Sequence, residues 1–199
     1  MNARISTKLH FTAGVYYNGS MQMNSYEVKL WMMTTSQESD SHNIAFERIN
    51  YFIHDVLDSS IFINSEHTEV IDNYINAGLT VTTLNDEPLD QVIGIMLYYK
   101  LNSIMEGRMV VVETELSSAF SDGVTYLHSE IEKPEIEKPD WWTSPKFDHY
   151  DINLVNKDKV VSMNTAKSWR DLDLAWTDEK SEFGNTIVFA DFSKNDDTK

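Results

Sequence analysis

The chain has 199 residues, 41% of them apolar, no cysteine, and 32 acidic against 16 basic side chains, for a formal charge of -16. The missing thiols exclude disulfides, thiolate metal sites and cysteine nucleophiles, and the negative charge repels phosphate backbones and anionic lipid, so neither nucleic acid nor a membrane is an expected partner. No apolar run reaches membrane-spanning length and the opening MNARISTKLHF lacks a basic stretch followed by an apolar block, which predicts a cytoplasmic protein that is neither secreted nor inserted.

From Ile5 to Thr12 the residues alternate, with Ile5, Leu9 and Phe11 on one face and Lys8 and His10 on the other, the pattern of a half-buried strand. Asn18-Gly19 supplies the positive φ values of a tight hairpin, after which Tyr26, Val28, Leu30 and Met32 resume the alternation in a second strand. The period then changes: Ile49, Phe52, Ile53 and Val56 make the stripe of an amphipathic helix from Asn43, its N-cap, to a stop near Asp58. A polar, Gly-containing stretch follows with no predicted element. Asp86 caps a second helix with Pro88 in its first turn, Leu89, Val92, Ile93, Met96, Leu97, Leu101, Ile104 and Met105 form its stripe, and Gly107 ends it. Arg108 to Glu130 reads as two further strands around a short loop.

Residues 1–130 therefore form one predicted domain. IEKPEIEKP within 131–140 is a charged, proline-containing linker. Residues 141–199 are a C-terminal extension carrying Trp141, Trp142, Trp169 and Trp176, with strands predicted in KDKVVSM and NTIVFADF and a fraying DFSKNDDTK end. That much aromatic surface predicts packing on the body or on a neighbouring subunit.

The residue that stands out is Glu113, a carboxylate among the valines of the third predicted strand. Burying it without a partner costs several kcal/mol, so it needs water, a cation or a ligand. Val112, Glu113 and Thr114, followed by Ser117 and Ser118, match a V-x-E-T strand motif. FTAG at Phe11 to Gly14, SYEVKL at Ser25 to Leu30, LDSSIFIN at Leu57 to Asn64, and Pro88 with Gln91 match further landmarks in the same order. Over residues 5–130 the chain resembles the tunnelling fold (T-fold) of the 6-pyruvoyltetrahydropterin and 6-carboxytetrahydropterin synthases.

The resemblance implies an α+β fold of order ββααββ, a four-stranded antiparallel sheet with two helices on one face. It further implies edge-to-edge assembly of a homo-oligomer into a barrel with sites at the subunit seams. By the same resemblance Glu113 accepts two parallel N–H bonds from the amino-pyrimidinone edge of a pterin- or purine-like heterocycle, with Thr114 and Gln91 beside it. The family's three zinc histidines correspond to Val15, Gln22 and Asn24, the histidine of its L-D-H motif is Ser59, and its cysteine is absent. No metal, no cofactor and no active pterin synthase are predicted on that account. His10, His54 and Asp58 are weaker candidates for a replacement site, and Glu115 shares the face of Glu113; His42, His67, His128 and His149 show no ligand-like pairing. The alternative to a heterocycle-binding protein is a non-catalytic acidic oligomer that binds another protein. The chain's general likeness to uncharacterised proteins of tailed phages would favour that alternative.

Overall fold

In the computed structural model, which describes residues 4–35, 39–129, 141–150 and 168–177, the predicted hairpin is a long one: β1 (Arg4–Tyr17) and β2 (Ser20–Thr34) pair antiparallel along their whole length. Asn18 and Gly19 turn it with φ of 50° and 76°, the values a two-residue hairpin loop requires. α1 (Ser39–Tyr51) begins before Asn43, which lies inside the helix and not at its cap, and continues as a π-helical turn, Phe52–Leu57. α3 (Asp90–Met105) begins after Asp86, whose carboxylate accepts the Glu87 N–H instead of capping the helix. It ends where Glu106 and Gly107 both take left-handed backbone.

Between these helices the prediction needs correction. The polar stretch after Asp58 contains β3 (Ile61–Asn64), α2 (Thr68–Asn76) and β4 (Val81–Leu84). With β5 (Met109–Ser118) and β6 (Tyr126–Ser129) they give a six-stranded sheet of order β4-β3-β1-β2-β5-β6, not a four-stranded one. β3 pairs parallel with both β1 and β4, while β2, β5 and β6 are antiparallel. Both short parallel strands are buried at every position, because the sheet is covered on two faces there: Phe62 and Leu84 join the main core under α1 and α3, and Ile63 and Val81 join a second cluster with Ile71 of α2. The two predicted helices do share one face; α2 takes the other.

The register of β5 decides where its carboxylates point. β2 steps from Trp31 opposite Glu113 to Met32 opposite Val111, leaving Val112 as the extra residue of a β-bulge. Before the bulge Met109 and Val111 face the core; after it Thr114 and Leu116 do. Without the bulge, strict alternation from Val111 would aim Glu113 into the core.

The described parts of the C-terminal extension pack on the body. Trp141, Trp142, Trp169 and Trp176 are all buried in the main core cluster. Arg48, 1% exposed, holds the far segment: its guanidinium donates to the Leu174 and Ile104 carbonyls at 2.8 and 2.9 Å and to Glu106 at 2.6 Å, between the rings of Trp169 and Trp176. Lys100, fully buried, donates to the carbonyls of Trp141 and Ser144 at 2.8 and 3.1 Å. Such cations stay charged inside a protein only when carbonyls, carboxylates and ring faces replace their water. The extension also meets the sheet's β4 edge, where the Thr83 N–H donates to the His149 carbonyl and the Trp141 indole donates to the Thr83 carbonyl, both at 3.1 Å. The linker 131–140 and the strands predicted in KDKVVSM and NTIVFADF lie outside the described residues. Among the described residues no helix is long and apolar enough to cross a membrane.

Candidate functional site

The sequence candidates fall on two faces of the sheet. Glu113 and Glu115 point away from α1 and α3, onto an open face shared with Lys8, His10, Glu27, Lys29 and Trp31. Glu115 is committed there: it accepts the Trp31 indole N–H at 2.8 Å and the Lys29 ammonium at 3.0 Å, and the indole bond, followed by Lys29, holds its carboxyl below the usual glutamate range. Glu113 is partly buried between Trp31 on β2 and Ser129 on β6, and among the described residues no hydrogen bond or ion pair reaches its side chain. His10 is exposed beside Glu27, 3.9 Å away, and His54 is exposed on the π-helical turn. Asp58 has a structural task, accepting the Thr12 N–H at 2.7 Å and so pinning the end of that turn to β1. Among the described residues no group of three histidine or carboxylate side chains is placed to hold a metal ion.

Thr114 and Gln91 belong to the other face. Thr114 is fully buried between Leu30 and His128, its hydroxyl without a partner among the described residues. His128 in turn lies against α3 at Gly94, where any Cβ would meet the imidazole at 2.6 Å, which is why a glycine sits in the middle of that helix. Gln91 lines a cleft of about 450 Å³, a volume that suits a small organic ligand.

The cleft is built by three elements. Val15, Gln22, Asn24 and Tyr26, on the helix-facing side of the β1–β2 hairpin, make its floor. The segment from Pro88 to Gln91, leading into α3, makes one wall. Phe120 and Ser121, after β5, with Tyr126 of β6, make the other. Ser118 ties the two walls together by donating to the Asp90 carboxylate at 2.6 Å. Beneath the floor, Tyr26 stacks on Phe11 at 4.8 Å with the Phe62 ring edge-on to both, so the hairpin residues stand on a rigid aromatic base.

Two polar atoms on this floor have no hydrogen-bond partner among the described residues. The Asn24 side-chain oxygen and the Tyr26 hydroxyl are buried, their residues 3% and 2% exposed, and although the Asn24 amide lies near the hydroxyl, neither atom meets a described partner at full hydrogen-bond geometry. Leaving such atoms dry costs about 1–3 kcal/mol each, an expense a ligand would remove. Burial raises the pKa of the Tyr26 hydroxyl, opposed by the adjacent Asn24 amide and reinforced by the Asp90 carboxylate, so it remains a neutral O–H at physiological pH. Phe120 and Leu89, each more than half exposed, form an apolar rim.

Val15, Gln22 and Asn24, the positions that correspond to zinc histidines in the resembled family, converge on this one cleft, as does Gln91. They offer two neutral amides and a valine, a donor set that does not fit a zinc ion. Glu113 is not among the residues that line it. Asp90, Tyr26, Phe120 and Tyr126 were not singled out for a site in the sequence, where Tyr26 reads as strand alternation.

No protein-family model matches the chain, and no curated protein matches it in sequence. Among solved structures it is similar to an uncharacterised protein from Wolinella succinogenes, at TM-score 0.48 and 11% identity over 65% of this chain and 99% of that one. It is also similar to 6-pyruvoyltetrahydropterin synthase from Plasmodium vivax, seen in a catalytic-residue mutant at TM-score 0.41 and 10% identity over 64% of this chain and 97% of that one. A further structure of the same enzyme gives 0.39 and 11% over 64% and 97%. Pterin synthases are thus among the structures that this chain resembles, as its motifs imply.

Proposed function

We propose that the chain binds a small planar heterocycle of the pterin or purine kind in the cleft between the β1–β2 hairpin and the start of α3, without performing the pterin-synthase reaction. The observation that supports this most is the pair of buried, unpartnered atoms on the cleft floor, Asn24 Oδ1 and Tyr26 Oη. An acceptor, a hydroxyl that can donate or accept, the Asp90 carboxylate and the Gln91 amide together match the mixed edge of an aminated ring, and the exposed Phe120 ring at the rim offers a face for stacking.

Binding should raise the melting temperature in thermal denaturation with pterin, guanine and guanosine. Tyr26→Phe, which removes one oxygen and keeps the ring, should cut that shift severely while leaving the unliganded protein folded. A panel in which no pterin or purine moves the melting curve would sink the reading.

A second reading rests on Glu113, whose carboxylate has no partner among the described residues and lies one strand in from β6, across from Trp31. In a homo-oligomer joined along β6, a seam at that edge would bring a neighbour to Glu113, and the heterocycle would dock there with Thr114 and Gln91 only supporting the strand and helix. The two readings separate cleanly: ligand-induced stabilisation lost in Glu113→Gln and kept in Tyr26→Phe points to the seam, and the reverse points to the cleft. A sharp monomer of the chain's own mass, 23.0 kDa, in light scattering would remove the seam. A protein partner recognised by the acidic surface is the remaining possibility, and it calls for association with a basic protein that weakens as salt rises.

A further inference from the structure

We propose that this cleft accepts neutral or cationic, N–H-rich ligands and rejects their phosphorylated forms, an inference that rests on the heterocycle-binding reading of the same site. A phosphate needs cations or a set of free backbone N–H groups, and among the described residues the lining supplies no lysine, arginine or histidine. Four of the described cations are engaged elsewhere: Lys8 and Lys29 form ion pairs on the opposite face of the sheet, and Arg48 and Lys100 are buried against carbonyls and rings below the extension. Among the described lining, the start of α3 is the feature that would favour an anion, since the first-turn N–H groups of a helix have no intrahelical acceptor. Asp90 stands in that first turn, fixed by Ser118, and puts a negative charge where an anion would otherwise sit.

The polarity of the floor points the same way. Asn24 Oδ1 and the Asp90 carboxylate are acceptors only, and the Tyr26 hydroxyl can match a donor too. An amino or amidine edge satisfies all three, whereas phosphate oxygens would meet acceptors and a like charge. The overall charge of -16 adds a long-range repulsion that is felt before contact.

The test is calorimetric titration of the full chain with matched pairs, guanosine against guanosine 5′-monophosphate and neopterin against its monophosphate. The unphosphorylated member of each pair should bind at least tenfold more tightly, and the gap should narrow in Asp90→Asn, which removes the charge and keeps an acceptor for Ser118. Added salt should narrow it too. Equal or tighter binding of the phosphates would overturn the selection while leaving heterocycle binding intact. A gap unchanged in Asp90→Asn would overturn the role given to that carboxylate. Absence of binding by every member of both pairs would overturn this inference and the reading beneath it together.

Discussion

The two ends of the sheet solve the problem of burial differently. At the parallel end, β3 and β4 lie between α1 and α3 on one side and α2 on the other, and all eight of their residues are buried. At the antiparallel end, β2 and β5 bury one face and leave the other open, dressed with Lys29, Glu115, Trp31 and Glu113. A strand covered on both faces draws its stability from apolar contact and tolerates little change; an open face carries charge networks that can be altered at small cost. The cleft belongs to the antiparallel end but to its covered side, which is why its polar atoms are dry and those of the open face are not.

The sharpest way to break the comparison is to remove volume from each end. Phe62→Ala, which deletes a ring packed against Phe11 and Tyr26, should cost about 3–5 kcal/mol in urea denaturation, and Ile71→Ala, which loosens α2 from the second cluster, about 2–5. A loss under about 1 kcal/mol in both would show that the parallel end is not the rigid part. Next comes the junction of α3 with β6. Gly94→Ala sets a methyl against His128 and should destabilise by about 1–3 kcal/mol, visible as a lower melting temperature.

On the open face the effects should be small and pH-dependent. Glu115→Gln keeps an acceptor for the Trp31 indole but breaks the Lys29 pair, and should cost on the order of 0.2–1 kcal/mol at neutral pH. Since the folded protein holds this carboxyl below its ordinary pKa, the stability it adds is present above the unfolded value and is lost as the pH falls through the folded one. The difference between wild type and variant should therefore close in acid; a difference that persists there would assign the effect to packing. Smallest of all, Glu113→Gln should leave stability within about 0.5 kcal/mol, since no partner among the described residues is lost, and a larger change would reveal a contact made outside them or in an assembly.

Glu113 also shows where reading a strand by alternation stops. A carboxylate among valines looked in need of a ligand, and counting by twos from Met109 through Val111 would indeed put it in the core. One extra residue, Val112, turns the chain over and gives it to the open face. A bulge leaves no mark in hydrophobic pattern, because it is a property of the pairing and needs the partner strand to be seen. β3, α2 and β4 were hidden for a related reason: four-residue strands buried on both sides have no period, and nine residues of helix among polar neighbours read as loop.

What the sequence determined by itself is what local chemistry enforces. Alternation made β1 and β2, Asn18-Gly19 made their turn, the apolar stripe from Leu89 to Met105 made α3, and indole rings beyond residue 140 required something to pack upon. Tertiary structure alone decided which candidates meet. It separated Glu113 from Gln91 by the thickness of a sheet, brought Val15, Asn24, Tyr26, Asp90 and Phe120 together from distant segments, and buried Arg48 and Lys100 under the extension. The reason is physical: periodicity records how much of a side chain meets water, whereas a site depends on which segments close over one another, and that is settled by packing between residues far apart in the chain.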